Sequence, residues 1–192
     1  MNLLSACSTH PLVKRLPVCN ARSTVVRRIL FANTALYGLY LLATGPYKLT
    51  YERQFTAGPA SNIESLGFFH FAHTSLPQFL FTSATLYTLG HYHAAAYGAG
   101  SFLTLFGASA FAGSALTAVG LRTGSTTQTQ AGAMAPAAGL IAYHVFRNPG
   151  WFKFVFRPIP LLALVTLYGA YTGDRAAIGG VGAGYLAFLF GL

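Results

Sequence analysis

Acidic residues are scarce, with three Asp and Glu among 192 positions against twelve Lys and Arg. Charged residues of both signs make up only 8% of the chain, too few to cover the surface of a water-soluble domain of this size. The three acids, Glu52, Glu64 and Asp174, all fall outside the apolar runs. A carboxylate within a run would mark a proton path, so their placement argues against a transporter, a proton channel or a paired-carboxylate active site. Cysteine is nearly missing too: Cys7 and Cys19 lie close to the N-terminus and match no zinc or redox spacing. The net charge of +9 does not point to nucleic acid. Such binding needs basic clusters interleaved with polar or aromatic readers on one face, and here the bases sit in short segments between apolar runs.

What is abundant is apolar sequence. Hydrophobic residues make up 54% of the chain, and mean hydropathy is +0.51. Runs of this kind with few charges read as membrane spans. The pattern predicts an all-α, polytopic membrane protein with six transmembrane helices, near Ile29–Thr44, Ser75–Gly90, Ala94–Val119, Ala131–Phe146, Pro158–Tyr171 and Ala176–Leu192. Gly45-Pro46 stops the first, and Pro77 falls in the first turn of the second, where its missing N–H is harmless. The segment Tyr47–Ser65 is too polar to span and belongs at an interface. A tight turn is expected around Tyr92, and a polar loop of Gly, Ser, Thr and Gln over Arg122–Gln130. Several spans are near 16 residues, short for an unaided crossing, which suits local bilayer thinning or burial in a larger assembly.

Residues 1–28 form a basic arm with Lys14, Arg15, Arg22, Arg27 and Arg28, several Ser and Thr, and no acid. That is the composition of a mitochondrial targeting segment. The six-helix domain then occupies 29–192. Six crossings place the arm, the Tyr92 turn, the loop with Arg147, Trp151, Lys153 and Arg157, and the C-terminus on one side. That side carries eight bases and no acid, whereas the other carries four bases and three acids. The basic side should face the matrix or cytoplasm. The localisation expected is the mitochondrial inner membrane, with both termini on the matrix side.

Two segments resemble catalytic stretches of the rhomboid intramembrane proteases. Gly132-Ala133-Met134-Ala135, followed by Gly139-Leu140, resembles the family's Gly-x-Ser-Gly run. Ala176-Ala177-Ile178-Gly179-Gly180 through Gly184 resembles its Ala-His-x-x-Gly-x-x-x-Gly run. Phe71-Ala72-His73 and Gln78-Phe79-Leu80-Phe81-Thr82, with Gly90 beyond, resemble the family's entry to the second span. The resemblance implies that Met134 stands at the nucleophile position, Ala177 at the general-base position, and Gln78 and Thr82 at the oxyanion-holding positions. A thioether cannot attack as an alkoxide does, and a methyl takes no proton. The fold implied is a six-helix rhomboid-like bundle without protease chemistry, its centre dry and filled by Met134. Gly132, Gly139, Gly180 and Gly184 are expected at helix–helix contacts, because helices in lipid associate by close backbone approach at small residues.

His70 and His73 are expected on one side of the membrane and His91 and His93 on the other, so the two pairs cannot share an ion. His144 has no evident partner. No metal or cofactor is expected, beyond bound phospholipid such as cardiolipin. The reading is a non-catalytic subunit of a mitochondrial inner-membrane complex, with a respiratory-chain or ATP-synthase accessory subunit favoured. Its partners are membrane lipids and other subunits, not nucleic acid. The alternatives are a protein-import translocase component, a free-standing binder of transmembrane clients, or a divergent intramembrane hydrolase. That hydrolase would use Ser75, Ser83, Ser101, Ser109 or Ser114, although no histidine is expected within reach of these serines.

Overall fold

The computed structural model describes residues 23–59, 61, 63–124, 130–148 and 174–192. The arm up to Arg22 with both cysteines, the middle of the Arg122–Gln130 stretch, the Trp151 loop and the fifth expected span, Pro158–Tyr171, lie outside the described residues. The described backbone is helical apart from loops and one isolated β-bridge, Ala57 to Gln130.

Helix α1 covers Thr24–Leu42, and α2 covers Pro46–Phe55. Gly45, at φ +53, makes the break between them, and Pro46 opens α2, where its fixed φ suits a first turn. The short α3 is Ser65–Phe68 and α4 is Leu76–Thr85. A π-helical turn, Leu86–Gly90, joins α4 to α5, His91–Arg122. Helices α6, Met134–Arg147, and α7, Arg175–Leu189, complete the set.

Among the described residues, two helices are long and apolar enough to cross a membrane: α1 and the continuous run Leu76–Arg122, 47 residues long. Drawn straight, that run would extend about 70 Å, more than twice the hydrocarbon thickness. It is not straight. Gly98, at φ 92 and ψ 157, leaves helical geometry for a region open essentially to glycine alone. The chain reverses there. A Cβ on Gly90 would meet the Phe102 ring at 3.0 Å, although a straight helix would hold residues twelve apart about 18 Å from each other.

This corrects the turn expected at Tyr92. Gly90 is not a stop, because it stays in the π turn and its missing side chain receives Phe102. The second arm therefore continues to Tyr97, which places His91 and His93 within a helix and not in a turn.

The core joins α1 through Val26 and Leu30, the π turn through Leu86, and α5 through Phe102, Leu105 and Phe106. Helix α6 adds Leu140 and Tyr143, and α7 adds Ala187. Helix α6 is enclosed: every residue from Met134 to Val145 is buried. Its run of Ala and Gly lets α5 and α7 lie against it with backbones close together, which is how helices gain packing in lipid.

Candidate functional site

Met134 opens α6, and Ala177 sits in the first turn of α7. The two meet in one apolar cluster with Ala138, Ile141 and Val145, flanked by Leu89 and Val181. Met134 is 3% exposed and Ala177 is fully buried. Asp174 sets the start of α7: its Oδ1 accepts the Ala177 N–H at 3.2 Å, a helix cap. Burial raises the Asp174 carboxyl above its ordinary value, against the pull of the Ala177 and Ala176 N–H groups.

The entry to α6 is tied on several sides. Ala57 and Gln130 exchange backbone hydrogen bonds, both 2.7 Å, and Gly132 N–H donates to Phe69 O at 2.7 Å. Thr117 Oγ1 donates to Gln130 Oε1 at 2.9 Å. Gln78 Nε2 donates to Ala131 O. Gly132 has φ +105, and a Cβ there would lie 2.7 Å from Gln78 Nε2. Thr82 Oγ1 contacts Gln78 O at 2.9 Å and Phe79 O at 3.2 Å. The amide of Gln78 and the hydroxyl of Thr82 thus donate to backbone carbonyls. Around Met134 and Ala177 the side chains pack against one another in an apolar cluster.

His73 is fully buried, with neither ring nitrogen hydrogen-bonded. Its ring packs edge-on to Phe79 and Tyr37, with centroids 5.3 and 6.5 Å away. These ring contacts set the loop before α4 against Tyr37 of α1 and Phe79 of α4. Burial pulls the His73 pKa down to about 4. His70 is lowered to about 4 by the same cause.

Of the four glycines expected at helix–helix contacts, Gly139, Gly180 and Gly184 lie where helices meet, whereas Gly132 lies in the loop before α6, crowded by the Gln78 and His73 side chains. A Cβ on Gly180 would enter the space of the Ala135 carbonyl. One on Gly184 would run into the Gly139 carbonyl and come within 3.0 Å of Ala142 Cβ. One on Gly139 would collide with Ser109 and lie 3.1 Å from Gly180 O. Gly113 and Gly179 belong to the same seam: a Cβ on Gly113 would be 2.5 Å from Ala135 Cβ, and one on Gly179 2.6 Å from Ala112 O.

Sequence reasoning missed two serine–histidine contacts. His93 Nε2 lies 2.9 Å from Ser101 Oγ, and His93 Nδ1 lies 3.3 Å from His144 Nε2. His70 Nε2 lies 2.8 Å from Ser114 Oγ. The expectation that no histidine reaches these serines is therefore overturned, as is the isolation of His144. The cause is the reversal at Gly98, which brings two helical arms side by side. Glycine in an alanine-rich run, eight residues or fewer from a His and a Ser, was the available signal. Among the described residues no group of three or more His, Cys, Asp or Glu side chains could hold a metal ion. No family model matches this chain, and no curated protein is matched by it.

Proposed function

We propose that this chain is a rhomboid-like, six-span membrane protein without protease chemistry, acting as a structural subunit of a mitochondrial inner-membrane complex. The observation that carries the reading is the meeting of Met134 and Ala177 in a sealed apolar cluster. Side chains from the two segments that resemble the family's catalytic runs come together as packing, with no nucleophile or base between them. The membrane setting is supported by the two long apolar helices. Large apolar side chains that face outward support it too, such as Phe111, 77% exposed, and Phe190, 81% exposed. The six-span count, the basic matrix side and the mitochondrial address rest on the sequence pattern. A respiratory-chain or ATP-synthase accessory subunit is the assignment favoured, because a compact helical chain with short spans suits burial within a larger assembly.

Native purification in mild detergent, with mass spectrometry of what co-migrates, tests the proposal. Respiratory-chain or ATP-synthase subunits at fixed ratio are the expected result. Import proteins, or a changing set of clients, would replace this reading with the translocase or client-binding one. Migration as a lone chain under conditions that preserve the large complexes would overturn it.

A further inference from the structure

Among the described residues, a hydroxyl, an imidazole and a second imidazole line up where the chain reverses at Gly98. This place lies about 15 Å along α6 from Met134. The contacts run Ser101 Oγ to His93 Nε2 at 2.9 Å, then His93 Nδ1 to His144 Nε2 at 3.3 Å. Both histidines are fully buried. Three tyrosine rings wall them in: Tyr97 and Tyr143 against His93, each with centroids 4.9 Å away, and Tyr92 against His144 at 5.4 Å. Ser101 itself is half-buried, and Gly98, Ala99 and Gly100 before it are exposed. Among the described residues, a Cβ added at Gly98 or Gly100 would meet nothing within 4 Å.

We infer that Ser101 is a nucleophile activated by His93 and positioned by His144, forming an acyl-transfer site for small apolar carboxylic esters. With the proton of His93 on Nδ1, directed to His144 Nε2, its Nε2 presents a lone pair to the Ser101 hydroxyl. This is the sequence nucleophile, base, orienting group that activated serines share. Ser101 Oγ bonds to the ester carbonyl carbon as its proton passes to His93 Nε2. The carbon–oxygen bond to the leaving alcohol then breaks, and that alcohol takes the proton from His93. Water reverses the steps: it gives a proton to His93, its oxygen bonds to the acyl carbon, and Ser101 recovers the proton. The products are one acid and one alcohol.

An oxyanion formed at Ser101 would draw on the backbone N–H groups beside the break in helical geometry at Gly98. The other serine–histidine pair lacks this capacity. Ser114 Oγ already donates to Leu66 O at 2.7 Å, so His70 can only donate to it, and the Ser114 proton is committed elsewhere.

The test uses the full chain in mild detergent, an alkyl fluorophosphonate probe, and intact-mass and peptide mapping. Phosphonylation breaks the P–F bond, forms Oγ–P, and releases fluoride with the serine proton. One adduct per chain at Ser101 is expected, lost in Ser101→Ala, a partly exposed position where the fold should survive. His93→Gln should slow labelling about 100-fold or more, the share a general base supplies. His144→Gln, which keeps an acceptor, should retain more of the rate than His144→Leu at equal helicity by circular dichroism. Turnover of p-nitrophenyl butyrate should follow the same order. Absence of an adduct on the helical wild type would overturn the inference, as would labelling that persists in Ser101→Ala. So would one bound zinc ion per chain that blocks labelling and is lost in His93→Gln, which would make the imidazole pair a metal site. None of these outcomes depends on which complex the chain joins.

Discussion

Gly180 and Gly182 stand two positions apart on α7 and have opposite surroundings. A Cβ at Gly180 would come within 2.7 Å of Ala135 C and 2.8 Å of its Cα, whereas nothing lies within 4 Å of one at Gly182. Backbone cannot swing aside as a side-chain tip can, so Gly180→Ala must push α7 off α6. The expected loss is about 2–3 kcal/mol, in the range of overpacked cores. Gly182→Ala should be neutral, or gain up to about 1 kcal/mol from helix propensity. Denaturant or thermal unfolding in detergent separates the two, and equal losses would contradict the seam described above. The seam was legible in the sequence because small residues four apart recur on one helix face, as Gly180 and Gly184 do. Its depth was not legible. That Gly113 and Gly179 share it depends on how α5 crosses α7, which no spacing within either helix records.

Helix α5 was harder to read, because Ala94-Ala95-Ala96 and the residues after Gly98 favour helix on both sides of the bend. Gly90, Gly98 and Gly100 were all available as breakers. The choice was made by tertiary packing: Phe102 occupies the space over Gly90 and keeps that glycine helical, leaving the reversal to Gly98. An alanine at position 98 would have to hold φ 92 and ψ 157, at an expected cost of about 1–3 kcal/mol. Thermal unfolding of Gly98→Ala measures that cost. The same substitution at Gly100, whose φ is not in the left-handed region, should have no such penalty. The His93–His144 contact joins residues 51 apart, so neither partner announced the other. By contrast, α1, α6 and α7 followed directly from apolar runs bounded by Gly-Pro, by a polar loop and by Asp174, and each starts or ends within a few residues of its expected limits.

The whole molecule should weaken as pH falls through the histidine range. His70 and His73 carry folded pKa values near 4 against about 6.5 in an unfolded chain. Above pH 6.5 both states hold them neutral, and their burial does not vary with pH. Below it the unfolded chain binds protons that the folded one refuses. Stability then drops by about 1.4 kcal/mol per pH unit for each histidine until pH approaches 4. A series of Tm measurements in detergent from pH 8 to pH 4.5 should be flat at first and then fall, with a shallower fall for His73→Gln. A Tm indifferent to pH across this interval would show that the two rings are reached by solvent. Such burial could not be read from the sequence, where His70 and His73 fall in a short phenylalanine-rich link between the polar Tyr47–Ser65 segment and the second expected span. Only the return of the chain through Gly132 and α5 encloses them.

The ties around Gln130 also bear on the order in which the protein can be made. Ala57, Phe69, Gln78 and Thr117 all bond to the stretch from Gln130 to Gly132, so every one of those partners leaves the ribosome before the segment that secures it. At about 5–20 residues per second, Ala57 waits several seconds for Gln130. During that interval its N–H and C=O, and the amide of Gln78, must be satisfied by water, lipid headgroups or the insertion machinery. The first half of the chain therefore keeps these polar groups without their final partners until the start of α6 arrives, and a pause before residue 130 would lengthen that interval.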